Sequence, residues 1–259
     1  MPETRQPEIA LIIPACDEAA CIGAVLDEFL SVVDPEKFVI AAGVNASTDK
    51  TAELARSRPV LVAETPLRGY GHGCQAAINL TNNFFPSVRA YIFCAGDGAT
   101  SPPDLARLVA AFEQGYDFVL GSRTLRLRNW RAMTLRHMLA NALLGLWCGI
   151  LSGRRFSDLG PLRLISRRLF EQIAPREMTF GWTIEAQIAA ARLKAAICEM
   201  PVTERRRIAG QQKVSGVTWR RTLVIGCKIL AAGYRTWRSS PVARQLPLPR
   251  PQRSIPREA

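Results

Sequence analysis

Ile9-Ala10-Leu11-Ile12-Ile13-Pro14-Ala15-Cys16-Asp17-Glu18 opens as an unbroken apolar run, breaks at a proline and ends on two acids. From Ala19 to Val33 the apolar residues Ile22, Val25, Leu26, Phe29 and Leu30 then recur at helical spacing. That is strand, loop, helix, and the unit repeats down the chain. Phe38–Ala42 reads as a second strand, with Ser47-Thr48-Asp49 capping a short helix over Thr51–Arg56. Val60–Ala63 reads as a third, followed by a glycine-rich turn and an alanine-rich helix near Gln75–Leu80. Tyr91–Cys94 is a fourth, ended by Gly96-Asp97-Gly98; Pro102–Phe112 is its helix, with proline near the first turn, and Asp117–Leu120 is a fifth strand. Strands alternating with single helices predict an α/β fold: one doubly wound, mostly parallel sheet flanked by helices in a single domain.

Past Gly121 the rhythm changes. Five arginines (Arg123, Arg126, Arg128, Arg131, Arg136) come first, and then 14 residues from Met138 to Leu151 carry no charge. A membrane span needs about 20 such residues, so this stretch predicts a core or interfacial helix. Leu162–Ile165 and Ala196–Met200 read as strands, Ser166–Ile173 and Ile184–Leu193 as helices, and Thr218–Tyr234 as a last helix apolar on one face. From Ser239 onward five prolines and four arginines fall in 21 residues, which predicts a disordered tail. The organisation is an arm over 1–8, an α/β half over 9–121, a basic half over 122–238 and the tail over 239–259.

The 259 residues carry 34 Lys+Arg against 22 Asp+Glu, a net +12 that is unevenly placed: 8 basic and 15 acidic residues up to position 120, then 26 and 7. A basic second half calls for an anionic partner, which could be nucleic acid, a pyrophosphate-bearing substrate or the anionic face of a membrane. The acidic first half and the lack of any nucleic-acid motif argue against nucleic acid. Seven cysteines, odd in number and without a C-x-x-C pair, read as reduced thiols, and Met1–Ala10 holds no apolar signal region. The expected location is cytoplasmic, with a peripheral place on the inner face of the cytoplasmic membrane.

Ligands of an open α/β sheet bind at the carboxyl ends of its strands, so the loops there are the candidate site. They are Pro14–Glu18, Asn45–Asp49, Arg68–Gly73 and Gly96–Gly98. The Gly69–Gly73 segment is G-x-G-x-G after the third strand, not the dinucleotide fingerprint after the first. No G-x-S-x-G, no Walker A loop and no metal-spaced His/Cys set occurs, which disfavours a hydrolase, a P-loop NTPase and a zinc site.

In order, I-I-P-A-C-D-E-A, N-A-S-T-D-K-T, R-G-Y-G-H-G, F-C-A-G-D-G, Gly121-Ser122-Arg123, Phe156–Arg163, Gly181–Glu185 and Lys213–Gly216 resemble the successive motifs of inverting family 2 glycosyltransferases with the GT-A fold. The branch they are most similar to is that of dolichyl-phosphate mannose and glucose synthases, and the likeness spans about residues 8–235. It implies a UDP- or GDP-sugar donor held by Pro14, Ala15, Asp17, Glu18, Ser47 and Asp49, with Gly69, Gly71 and Gly98 letting backbone approach a phosphate or ring. Carboxylates suit hydroxyl and ring N–H donors. It also implies Mg²⁺ or Mn²⁺ on an Asp-x-Asp motif, of which Asp97 remains because position 95 is Ala; Ala99 and Val44 depart from the pattern too. Asp97, Asp158 and Glu185 are the implied catalytic carboxylates. Arg123, Arg163, Trp182, Arg207 and Lys213 are implied to meet phosphates and a lipid-phosphate or glycan acceptor in the second half. The expected activity is sugar transfer from a nucleotide-diphosphate sugar. A nucleotide-sugar binder of the same fold with impaired turnover is the alternative that Ala95, Ala99 and Val44 raise.

Overall fold

The computed structural model describes residues 6–126, 129, 135–209 and 219–239. Lys213, Arg128, Arg131 and the tail from 240 lie outside the described residues. One seven-stranded sheet organises the rest. Its strands are β1 (Ile9–Ala15), β2 (Phe38–Asn45), β3 (Leu61–Thr65), β4 (Ala90–Phe93), β5 (Phe118–Ser122), β6 (Arg163–Ser166) and β7 (Ile197–Pro201). The order is β3-β2-β1-β4-β6-β5-β7, parallel throughout except for β6, which runs antiparallel to both β4 and β5.

Side chains alternate between two buried layers, as the period of a strand dictates. Ala10 and Ile12 of β1 face one core, and Ile9, Leu11, Ile13 and Ala15 face the other. Helices α1 (Ile22–Leu30), α2 (Thr51–Arg56) and α4 (Asp104–Glu113) cover the second layer. The first layer lies under α3 (Tyr70–Phe84), α5 (Leu135–Ser152), α6 (Arg167–Ile173), α7 (Trp182–Arg192) and α8 (Trp219–Ser239). This two-faced covering is why strands on the chain read as continuous apolar runs rather than alternating ones.

Two boundaries move from the sequence reading. Helix α3 starts at Tyr70, inside the expected glycine-rich turn, because Gly71 and Gly73 sit against other backbone. A Cβ on Gly73 would lie 2.8 Å from the Gly43 carbonyl oxygen of β2. Close packing offsets the low helix propensity of glycine. Helix α8 runs on to Ser239, five residues past its expected end.

Candidate active site

From β1 the chain turns to β2 and β3, then crosses back through α3 to β4 on the other flank of β1. The loops after β1 and β4 therefore diverge, which opens a crevice at the carboxyl ends of the two strands. The floor is tight: a Cβ on Gly96 would stand 3.3 Å from the Pro14 carbonyl oxygen.

The loops after β1 and β2 are stitched to each other. The Asp17 N–H donates to Ser47 Oγ at 2.9 Å, and the Thr48 N–H returns a bond to Asp17 Oδ1 at 2.7 Å. Ala19 N–H donates to Asp49 Oδ2 at 3.0 Å, and Glu18 N–H to Thr51 Oγ1 at 2.8 Å. Asp17 (φ 52°) and Ala46 (φ 47°) both adopt the left-handed backbone region. Asp tolerates that region; for Ala it is a cost that the surrounding bonds must hold in place. The loops after β1 and β2 are thus tied together, with Asp17, Ser47, Asp49 and Thr51 supplying the side chains that fasten them.

The opposite wall is the β4 loop covered by residues 203–209. Ile208 N–H donates to the Asp97 carbonyl at 3.1 Å, and Arg205 N–H to the Ala99 carbonyl at 2.9 Å. Gly98 (φ 79°) holds a backbone conformation that favours glycine, and a Cβ there would press on the end of the flexible Ile208 side chain. Arg205 anchors the segment by forking onto Glu28 at 2.6 and 2.8 Å. Arg207 then reaches into the crevice: Nη2 donates to Glu18 Oε2, Nη1 stands 3.6 Å from Asp97 Oδ2, and Nε donates to the Ala209 carbonyl at 2.6 Å. Burial and the neighbouring Glu18 push the Cys21 thiol up to about 12, so it is a neutral donor to Glu18 Oε2 at 3.1 Å.

Beyond Asp97 a second set of charges lies under the basic half. The Arg123 guanidinium holds Asp158 through Nε and Nη2 at 2.8 and 2.9 Å, and its Nη1 lies 3.5 Å from Glu204. Arg123 and Glu204 line a cavity of about 10 Å³ with Thr100 and Gly121 among others, room for one water. Burial pushes the Glu204 carboxyl up to about 7, opposed by Arg123 and reinforced by Asp97 and Asp158. The sequence reading missed Glu204. The signal was its place as the lone acid ahead of Arg205-Arg206-Arg207, just after β7.

Several expected site residues serve the scaffold. Gly69 and Gly71 contact protein, not an open crevice: Gly71 N–H donates to the Met178 carbonyl at 2.9 Å, and a Cβ on Gly71 would stand 2.5 Å from Trp182 Cε3. Trp182 is 2% exposed and packs edge-on to Phe93 at 6.1 Å, because an apolar side chain opening α7 is drawn into the core. Glu185 accepts the backbone N–H groups of Arg176 (3.0 Å) and Glu177 (2.8 Å), which ties down the loop before α7. Arg163, 1% exposed, donates to the Gly160 carbonyl and to Thr183 Oγ1 at 3.1 Å, and burial lowers its pKa.

The divalent cation implied by the motif finds a poor donor set. Ala95 and Asp97 are the two half-exposed residues of the 94–100 loop, and only one has a carboxylate. Asp97 Oδ1 accepts the Ala99 N–H at 3.1 Å and Oδ2 faces Arg207. Among the described residues no three His, Cys, Asp or Glu side chains gather to hold a metal. One carboxylate with substrate phosphates and waters can hold such a cation, but a dication on Asp97 would stand beside a guanidinium of like charge, so it is the Asp97–Arg207 pair, not the ligand count, that does not fit the metal.

Comparison with known proteins agrees with this architecture. The family model described as glycosyl transferase family 2 matches residues 10–176. A dolichyl-phosphate hexose transferase of Haloferax volcanii is 26% identical over 215 residues, 83% of this chain and 90% of the relative. An uncharacterised glycosyltransferase of Mycobacterium tuberculosis is 24% identical over 222 residues, 80% of this chain and 90% of the relative. In fold, the chain is similar to glucosyl-3-phosphoglycerate synthase from M. tuberculosis at TM-score 0.67 and 19% identity, over 89% of this chain and 80% of that one. That synthase has also been solved with Mn²⁺, uridine diphosphate and glucosyl-3-phosphoglycerate. The match across β1 to α6, on a sheet built to the GT-A plan, places this chain in glycosyl transferase family 2.

Proposed function

We propose that this glycosyltransferase moves a hexose, with inversion, from a UDP- or GDP-sugar to a polyprenyl phosphate or another membrane-associated acceptor such as a glycan. The observation that carries the reading is the meeting, at the β1/β4 switch point, of the stitched Asp17–Asp49 wall with Asp97 and Arg207. The first wall receives base and ribose, and Asp97, Gly98 and Arg207 face the diphosphate. The acceptor oxygen attacks the anomeric carbon from the side opposite the departing diphosphate. A phosphate acceptor arrives ionised and needs little base; for a hydroxyl acceptor, Glu204, titrating near neutrality, is suited to take the proton. Asp158 acts through Arg123, which it orients. The named activity of the Haloferax relative supports a lipid phosphate as acceptor.

A lipid acceptor has to be met at a surface. Leu139, Leu143, Leu146 and Ile150 form an exposed stripe at helical spacing along α5, and α8, packed beside it, exposes Val224, Leu230, Tyr234 and Trp237. Lys228, Arg235 and Arg238 share α8 with that apolar group, the composition of an interfacial helix on anionic lipid. No helix among the described residues is long and apolar enough to cross a membrane.

The test is a thermal-shift and transfer screen across nucleotide sugars, with and without Mn²⁺. A UDP- or GDP-sugar at 100 times its Kd stabilises the fold by about 2.7 kcal/mol. Stabilisation with transfer supports the enzyme, and stabilisation without transfer to any acceptor supports the binder that Ala95 suggests. No stabilisation by any nucleotide sugar overturns both.

A further inference from the structure

The chain lacks the first carboxylate of its Asp-x-Asp motif, where Ala95 stands, and holds an arginine against the second, Asp97. We infer that Arg207 takes the place of the divalent cation, so that the nucleoside diphosphate is bound, and its leaving charge met, by a guanidinium without metal. The inference rests on the reading of the crevice as a nucleoside-diphosphate-sugar site and names how that site handles the diphosphate.

Four observations converge. Ala95 stands beside Asp97 on the half-exposed side of the loop, and Ala99 offers no ligand either. The Arg207 side chain is held, not loose: it is 17% exposed and fastened by Glu18, by the Ala209 carbonyl and by the Asp97 carboxylate. The two hydrogen bonds use the Nε N–H and one N–H of Nη2, and Nη1 faces Asp97 Oδ2 at 3.6 Å without a hydrogen bond, so three N–H groups make no hydrogen bond to a described residue. Finally, the backbone that carries Arg207 is bonded to the metal loop itself, Ile208 N–H to Asp97 and Arg205 N–H to Ala99, so the guanidinium is registered to the place where the cation would sit.

The chemistry suits the substitution. A guanidinium presents paired N–H donors to two phosphate oxygens at once and stays charged at any working pH. In the transfer, the bond between the anomeric carbon and the diphosphate oxygen breaks with its electron pair on that oxygen, while the acceptor oxygen supplies the pair for the new bond. The leaving group gains negative charge and needs no proton, only a fixed positive charge. One held in advance in a half-buried site is effective because nothing must reorganise as the bond breaks. Glu18 and Asp97 keep the arginine oriented before the donor arrives.

The experiment is isothermal titration of UDP and of GDP into the full chain, in EDTA and in millimolar Mn²⁺. For the wild-type protein the Kd of the nucleotide that binds should differ by less than about twofold between the two buffers. Arg207→Gln should raise it at least about tenfold, the scale of losing hydrogen bonds to a charged group, and Arg207→Lys by less. Adding Ala95→Asp to Arg207→Gln should restore binding in Mn²⁺ but not in EDTA. Wild-type binding that appears only with Mn²⁺, or an Arg207→Gln protein that binds as wild type does, overturns the role of Arg207 while leaving the donor site standing. Failure of both nucleotides to bind the wild-type protein in either buffer overturns the site reading and this inference with it.

Discussion

Arg123 and Asp158, 35 residues apart in the chain, meet as a double hydrogen-bonded pair, Nε to Oδ2 at 2.8 Å and Nη2 to Oδ1 at 2.9 Å. Asp158 Oδ2 also accepts the Arg123 backbone N–H at 2.9 Å, so one carboxylate closes the loop after β5. Its side chain is 1% exposed, which makes the pair costly to break from one side. Asp158→Asn should lower stability by about 3 kcal/mol, since the largely buried guanidinium is left with only the 3.5 Å contact to Glu204 as a counter-charge. The midpoint of urea unfolding measures it; an unchanged midpoint would mean the pair is solvated.

Glu204 sets a pH dependence. Its folded pKa of about 7 lies above its ordinary value of 4.5, so between those values the folded state binds more protons than the unfolded one. Stability is therefore lost as pH rises through that window and regained on acidification. Melting temperatures of wild type and Glu204→Gln from pH 4.5 to 8 should show the variant gaining on the wild type as pH rises. Parallel curves would remove Glu204 as the group responsible.

Gly71 separates packing from ligand contact. Alanine there places a Cβ 2.5 Å from Trp182 Cε3 and 2.8 Å from Met178 Cα, one of them backbone. Gly71→Ala should destabilise by about 1–3 kcal/mol, the usual range for overpacking. The UDP or GDP affinity of the folded fraction should hold within about threefold, whereas a phosphate-binding glycine would lose more.

The exposed α5 stripe is testable without touching the crevice. Leu143 and Ile150 are each 67% exposed, so Leu143→Glu with Ile150→Glu should change stability by less than about 1 kcal/mol. Sedimentation of wild type with acidic vesicles should fall as salt rises, and the double variant should sediment far less at every salt concentration. Equal recovery of the two proteins would place the lipid contact elsewhere.

Most of the fold was legible because its signals are local. Apolar runs such as Ile9–Ile13 and the spacing Ile22, Val25, Leu26, Phe29 report strand and helix from a dozen residues at a time. The placing of Asp17, Ser47 and Asp49 in loops was legible for the same reason, since each follows a strand. The glycine segment misled because glycine reports freedom or closeness without saying which. At Gly71 it is closeness to α7, about 100 residues on. Trp182 and Glu185 misled likewise: their types suit an acceptor pocket, but burial against Phe93 and bonds to the Arg176 and Glu177 amides occupy them.

By itself the sequence determined the alternation of strands and helices, the family, and the loss of a carboxylate at position 95, all of which are written in residue type and near spacing. Only the tertiary structure decided what faces the remaining Asp97. Arg207 and Glu18 are 189 residues apart, and nothing near either one points to the other. They meet because β6 enters the sheet antiparallel between β4 and β5, which puts β7 at the far edge and sends residues 203–209 back across the Asp97 loop. Such a pairing depends on the order of strands in space, and that order is settled by burying both faces of the whole sheet at once, not by any local run of residues.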